Sequence, residues 1–122
     1  MPKSAELVLK HEFPLVVTGY PVLCKIVPPM QLACATLIKL AKANNYDRVV
    51  IFGSSTTWNF TNFSDLDICI YTNLSPELVM KQVASVLDVD FDLVIWRDTM
   101  STLLQSEICK GVTIYARSTQ EG

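Results

Sequence analysis

The stretch Phe52-Gly53-Ser54-Ser55-Thr56-Thr57-Trp58-Asn59-Phe60-Thr61-Asn62-Phe63-Ser64-Asp65-Leu66-Asp67-Ile68 decides how this chain is read. It is entered from Arg48-Val49-Val50-Ile51-Phe52, a continuous apolar run of the kind that forms a buried strand. It is left through Asp67-Ile68-Cys69-Ile70-Tyr71, a second strand. Gly53 ends the first strand, and a glycine there lets the backbone approach a ligand closely. The Ser-, Thr- and Asn-rich run behind it reads as a loop or short helix, whose first N–H groups can cradle a phosphate. Ser54 adds a hydroxyl donor. Ser54 and Ser55 also suit the bland role of capping a helix.

Asp65 and Asp67 enter the second strand two residues apart. Side chains at i and i+2 share a face of a strand, about 7 Å apart. Leu66, Ile68 and Ile70 then take the core face, and the two carboxylates stand together on the other. Like charges this close raise each other's pKa unless a cation is present. Mg²⁺ prefers oxygen ligands, often one or two carboxylates plus substrate phosphates. Taken alone, the pair reads first as a solvated strand start with a turn-forming Asp. With Gly53-Ser54 ahead of it, a metal site is the better reading.

A third carboxylate is available in Asp88-Val89-Asp90-Phe91-Asp92. If residues 91–96 lie beside 67–71, Asp92 faces as Val94 and Trp96 do, and Phe91, Leu93 and Ile95 face the other way. Asp92 then stands near the first pair, with Asp90 the weaker candidate. Three carboxylates on one sheet face suit two metals, which clamp attacking and leaving oxygens in a phosphoryl displacement. Trp58 and Phe60 read first as loop packing, with base stacking as the alternative.

Outward from the motif the pattern is α+β. Pro28-Pro29 opens a helix to about Asn44, because proline suits a first helical turn. Asn44-Asn45 is its stop, since Asn tolerates the left-handed conformation. Ser75-Pro76-Glu77 caps and starts a helix to about Leu87. Residues 91–96 form a third strand. Asp98 caps a helix that runs to Lys110 and stops at Gly111, and Val112–Ala116 form a last strand. One mixed sheet with helices against it is the simplest packing. The N-terminal extension, residues 1–28, is read as a hairpin or irregular arm around Thr18-Gly19-Tyr20-Pro21. Residues 29–117 make the main domain, and 118–122 a tail that frays from Arg117 onward.

Bulk properties narrow the function. The 122 residues suit one domain, and half are hydrophobic, which excludes a disordered chain. Net charge is -2 with no Lys/Arg cluster, so the footprint of a nucleic-acid binder is missing. Cys24, Cys34, Cys69 and Cys109 are spread without a CxxC pair, and read as small apolar residues of a reducing cytosol. His11 reads as structural or solvated. No signal peptide or membrane span is evident, so a soluble cytoplasmic protein is expected. The apolar, proline-punctuated stretch 13–30 is a candidate homodimer interface.

Gly53-Ser54, ten residues, then Asp65-Leu66-Asp67 resembles the two-part signature of the DNA polymerase β-like nucleotidyltransferase superfamily. Phe52-Gly53-Ser54 with Ser64-Asp65-Leu66-Asp67-Ile68 looks most like its minimal nucleotidyltransferases, the antitoxin-type MNT domains. Phe91-Asp92-Leu93-Val94 resembles the third-carboxylate strand, and Ile108 to Tyr115 the closing helix-to-strand segment. The resemblance implies a nucleotidyltransferase fold and transfer of a nucleoside monophosphate, AMP from ATP, to a hydroxyl. It implies Asp65, Asp67 and Asp92 as metal ligands and catalytic residues for Mg²⁺ or Mn²⁺. Gly53, Ser54 and Ser55 would hold the triphosphate. Many minimal relatives work beside a HEPN-domain partner and adenylylate it. One departure stands out: the family often reads Gly-Ser-x-Ala-Arg-Gly, and Thr57 and Trp58 occupy the Arg and Gly places. No Lys or Arg occurs between Arg48 and Lys81, so the loop has no basic clamp of its own. The rival readings are a catalytically weak or inactive subunit that binds a partner protein, and an antibiotic nucleotidylating enzyme. The second usually needs a further helical domain.

Overall fold

A computed structural model describes residues 12–117. Four strands form one sheet in the order β3-β2-β1-β4, with β1 at Arg48–Phe52, β2 at Leu66–Tyr71, β3 at Phe91–Ile95 and β4 at Val112–Ala116. β1 pairs antiparallel with β2 and with β4, while β2 and β3 run parallel. The sheet is therefore mixed, as the pattern predicts. The parallel pair needs a crossover helix, and α2, Pro76–Val86, supplies it.

Strand alternation divides the core in two. Val49 and Ile51 of β1 and Leu66, Ile68 and Ile70 of β2 point to one face. There α1, Pro28–Asn44, and α2 cover them with Leu37, Ile38, Val79 and Val83. Val50, Phe52 and Cys69 point to the other face, where α3, Thr102–Cys109, lays Ile108 on them. Val94 and Trp96 join this second cluster, and Phe91, Leu93 and Ile95 join the first. That is the parity the alternation predicts.

Local signals set the helix ends. Pro28 opens α1, and Asn45 closes it in the left-handed conformation at φ 56°. Ser75 accepts from the Leu78 N–H and starts α2, with Pro76 at its first position. The cap of α3 is Ser101, which accepts from the Leu104 N–H at 3.2 Å, and not Asp98. Asp98 instead accepts from the Trp96 indole N–H at 3.3 Å. A Ser three residues nearer the helix competes better for its free N–H groups.

Residues 12–27 form no hairpin. The β-prone run from Val22 coils into a 3-10 turn over Pro21–Lys25, where Pro21 sets the first turn. Phe13, Leu23, Ile26 and Val27 are buried in the domain's own core, leaving Leu15 and Val16 exposed. The fully buried Gln31 of α1 holds the segment down. It accepts from the Val16 N–H at 2.8 Å and donates to the carbonyls of Pro14 at 2.7 Å and Ile26 at 3.0 Å. Arg117 is not frayed: it pairs with Asp47 at 2.6 Å, and its N–H donates to the Asp47 carbonyl. His11 and the 118–122 tail lie outside the described residues. No helix among the described residues is long and apolar enough to cross a membrane.

Candidate active site

β2 and β3 put the carboxylates where alternation requires. Asp67 and Asp92 are register partners across the parallel pair, with Leu66 opposite Phe91 and Ile68 opposite Leu93. Asp67 is half-buried, and Asp65 and Asp92 are exposed. Burial pushes the Asp67 carboxyl above the usual range, and the charges of Asp92 and then Asp65 push it further. The three groups thus share one electrostatic field. Asp90 lies just ahead of β3, where its carbonyl accepts the Leu66 N–H at 3.0 Å and sets the entry to β2.

Asp67 also faces Phe52 across the β1–β2 pair, which brings it against Gly53. Gly53 has φ 77°, a left-handed conformation that glycine adopts without strain. A Cβ at that position would collide with the Asp67 Oδ2. Gly53 therefore does two things: it turns the chain off β1, and it leaves room for the carboxylate.

The loop behind Gly53 begins with a single short 3-10 turn, Gly53–Thr56, and does not go on into an α-helix. Hydroxyls occupy its carbonyls: Thr56 donates to Gly53 O at 2.9 Å and Thr57 to Ser54 O at 3.3 Å. Such local bonds compete with helix propagation. So short a turn has little macrodipole to offer an anion. Ser54 and Ser55 part company here. Ser54 lines a cavity, whereas Ser55 is fully buried, is not among the cavity's lining residues, and its Oγ has no hydrogen-bond partner among the described residues. The Ser55 carbonyl accepts the Val27 N–H at 2.9 Å and fastens the loop to the N-terminal segment.

The cavity holds about 600 Å³ and is lined by Gly53, Ser54, Thr56 and Thr57 on the loop side. Lys25, Glu107, Lys110, Gly111 and Val112 complete the lining from other segments. Through Gly53 it adjoins the carboxylate face. The absence of Lys and Arg from the loop does not leave the cavity without basic groups. The loop has none, but Lys25 and Lys110 arrive from segments remote in sequence. Sequence reasoning missed both, since neither carries a local signal. Trp58 packs against Phe13 with ring centroids 4.5 Å apart, as loop packing rather than as a platform in the cavity.

The donor set fits a divalent cation. Carboxylate oxygens are hard ligands suited to Mg²⁺ or Mn²⁺. Among the described residues no Lys or Arg pairs with Asp65, Asp67 or Asp92. Their mutual repulsion is what a cation would relieve. Among the described residues no three His, Cys, Asp or Glu side chains are gathered tightly enough to cage a metal unaided. Mg²⁺ sites with one or two carboxylates are ordinarily completed by water and substrate phosphate.

A four-stranded mixed sheet, a glycine turn leading to a cavity, and acidic groups on the adjoining strand pair define a nucleotidyltransferase-type fold. The family model for polymerase beta nucleotidyltransferases matches residues 35–120, and the chain belongs to that family. It is similar to a chain in the structure of the tri-AMPylated Shewanella oneidensis HEPN toxin in complex with MNT antitoxin, at 29% identity and TM-score 0.53, with 75% of each chain covered. It is also similar to a chain in a mutant toxin–antitoxin MntA–HpeT structure, at 26% identity and TM-score 0.57, covering 72% of this chain and 75% of that one. No curated protein matches the sequence. Its fold neighbours are thus MNT antitoxins of the nucleotidyltransferase type.

Proposed function

We propose that this chain is a metal-dependent nucleotidyltransferase that moves a nucleoside monophosphate, AMP from ATP, to a hydroxyl of a HEPN-type partner protein. One observation carries the reading. Asp67 sits between Asp92 on β3 and Gly53 at the mouth of a cavity, so a nucleotide held there presents its phosphates to the carboxylates. The AMPylated toxin bound by the similar antitoxin supports AMP as the group and a protein as the acceptor.

In this reading Gly53 and Ser54 bind the phosphate chain, and Asp65, Asp67 and Asp92 hold Mg²⁺ or Mn²⁺. The cation supplies charge neutralisation at the phosphoryl oxygens. The acceptor oxygen bonds to the α-phosphorus, the α–β bridging bond breaks, and pyrophosphate leaves. Asp92, exposed at the strand edge, receives the acceptor's proton. Ser55 acts from behind, holding the turn to Val27. The second reading, a partner-binding subunit with little transfer, is favoured by Thr57 and the cation-free loop.

Calorimetry with ATP, with and without Mg²⁺, separates the two when Asp65→Asn/Asp67→Asn is the control. Mg²⁺-dependent binding that vanishes in the double variant, followed by α-labelled ATP marking a HEPN partner, is the expected result. A folded protein that binds its partner but transfers no label would leave the second reading standing.

A further inference from the structure

The loop that turns off β1 shares its cavity with two lysines. Lys25 ends the 3-10 turn Pro21–Lys25, and Lys110 follows the last residue of α3. They are 85 positions apart in sequence, yet both line the cavity with Gly53 and Ser54. We propose that Lys25 and Lys110 together clamp the terminal phosphates of the bound nucleoside triphosphate, replacing the cation that the loop itself lacks. The inference rests on the nucleotidyltransferase reading and specifies which groups recognise the polyphosphate.

Charge makes the case. The neighbourhood of Gly53 holds Asp65, Asp67, Asp92 and Glu107. A triphosphate carries several negative charges, and metal ions at the carboxylates neutralise only the part they touch. Without Lys25 and Lys110 the only charged group among the described lining residues would be Glu107, which repels phosphate. A Lys ammonium is a compact point charge with three donors, suited to phosphate oxygens.

Backbone placement makes the two lysines part of the site. Leu23 and Ile26, on either side of Lys25, are fully buried, and the Ile26 N–H donates to Leu23 O at 3.0 Å. The next residue, Val27, is bonded to Ser55 of the loop. Lys25 is thereby fixed relative to Ser54. Lys110 is fixed by its neighbours: Ile108 is buried, and Gly111 packs so tightly on β1 that an added Cβ would strike the Ile51 carbonyl. The Lys110 side chain itself is free to move. Its ion pair with Glu107 is 3.7 Å long and well exposed, a contact of the kind that contributes little. Phosphate can take it over at small cost.

The test is calorimetry with Mg·ATP, Mg·ADP and AMP on wild type, Lys25→Gln, Lys110→Gln, the double variant and a double Lys→Arg control. Both lysines are exposed, so folding is expected to survive, and thermal melts check it. Each single Gln variant should weaken Mg·ATP about tenfold, the scale of a charged hydrogen bond. The double should lose roughly a hundredfold if the two sites add. AMP should change less than about threefold, the Arg control should keep most affinity, and the double Gln variant should show a flatter salt dependence. Mg·ATP bound equally by wild type and the double Gln variant overturns the clamp and leaves the nucleotide reading intact. Equal losses for ATP and AMP also overturn it, because a clamp on terminal phosphates cannot act on AMP. Wild type that fails to bind Mg·ATP at all overturns the underlying reading and the clamp with it.

Discussion

The acidic and basic walls of the site are built in opposite ways. Asp67 and Asp92 stand on two adjacent strands, with Asp65 just ahead of the first, and ladder register alone fixes Asp67 opposite Asp92. Lys25 and Lys110 stand on the ends of two short helical segments from opposite ends of the chain, and only tertiary packing brings them together. A wall set by ladder hydrogen bonds tolerates side-chain change without moving. A wall set by packing moves when a distant anchor is cut. The difference teaches where each wall is vulnerable, and substitutions can target them separately.

Gly53→Ala hits the joint between the walls and should have the largest effect. The new Cβ meets the Asp67 carboxylate and must also be held at φ 77°. The backbone part alone costs about 1–2 kcal/mol. Displacing Asp67 should lower transfer by a factor on the order of 100 or more, the range seen when one electrostatic group is lost from a reacting centre. A Gly53→Ala protein that transfers at the wild-type rate would show that Asp67 does not need its place against the turn. Label transfer and a thermal melt, run together, read both parts.

Gln31→Met should break the basic wall and spare the acidic one. Gln31 makes three hydrogen bonds to the N-terminal segment from a fully buried position. Their loss strands the Pro14 and Ile26 carbonyls and the Val16 N–H, for about 1–3 kcal/mol. The segment from Phe13 to Val27 then loosens, and Lys25 with it. Mg·ATP affinity should fall to about that of Lys25→Gln, roughly tenfold. Mn²⁺ binding to the carboxylates, followed by its paramagnetic effect on water, should not change. If ATP affinity holds while the protein loses stability, Lys25 is placed by something other than this anchor.

The same contrast explains what was legible in the sequence. Strand alternation carries the acidic wall, so Asp65, Asp67 and the parity of Asp92 follow from local pattern, as do the helix caps Ser75 and Asn45. The basic wall has no local pattern. Nothing in Val22-Leu23-Cys24-Lys25 distinguishes a strand from the 3-10 turn that forms, because burial of Leu23 and Ile26 against α1 decides it. Ser55 looked equivalent to Ser54 because a four-residue turn places neighbours on different sides, and one-dimensional spacing does not reveal which side is buried. Asp98 lost the cap of α3 to Ser101 by three residues, within the ordinary blur of helix ends read from sequence.

The cysteines offer the gentlest probe of the two walls, since alkylation needs no mutation. Cys69 lies two residues beyond Asp67 on the same face of β2, buried beneath α3. Burial pushes its thiol up to about 12, and that of Cys34, within α1, likewise to about 12. A raised pKa keeps both as thiols at pH 8, and alkylation requires the thiolate. Cys109 is exposed beside Lys110, and Cys24 is half-buried beside Lys25. Iodoacetamide under native conditions, read by peptide mass spectrometry, should label Cys109 first and Cys24 next. Cys34 and Cys69 should lag by a factor on the order of 100 and react only through opening of the fold. Because the opened segment presents an ordinary thiol, their labelling should rise with pH only to about 8.5 and then level off. Early labelling of Cys69 would mean that the α3 side opens locally. The acidic wall would then be no stiffer than the basic one, and the contrast between ladder and packing would not hold.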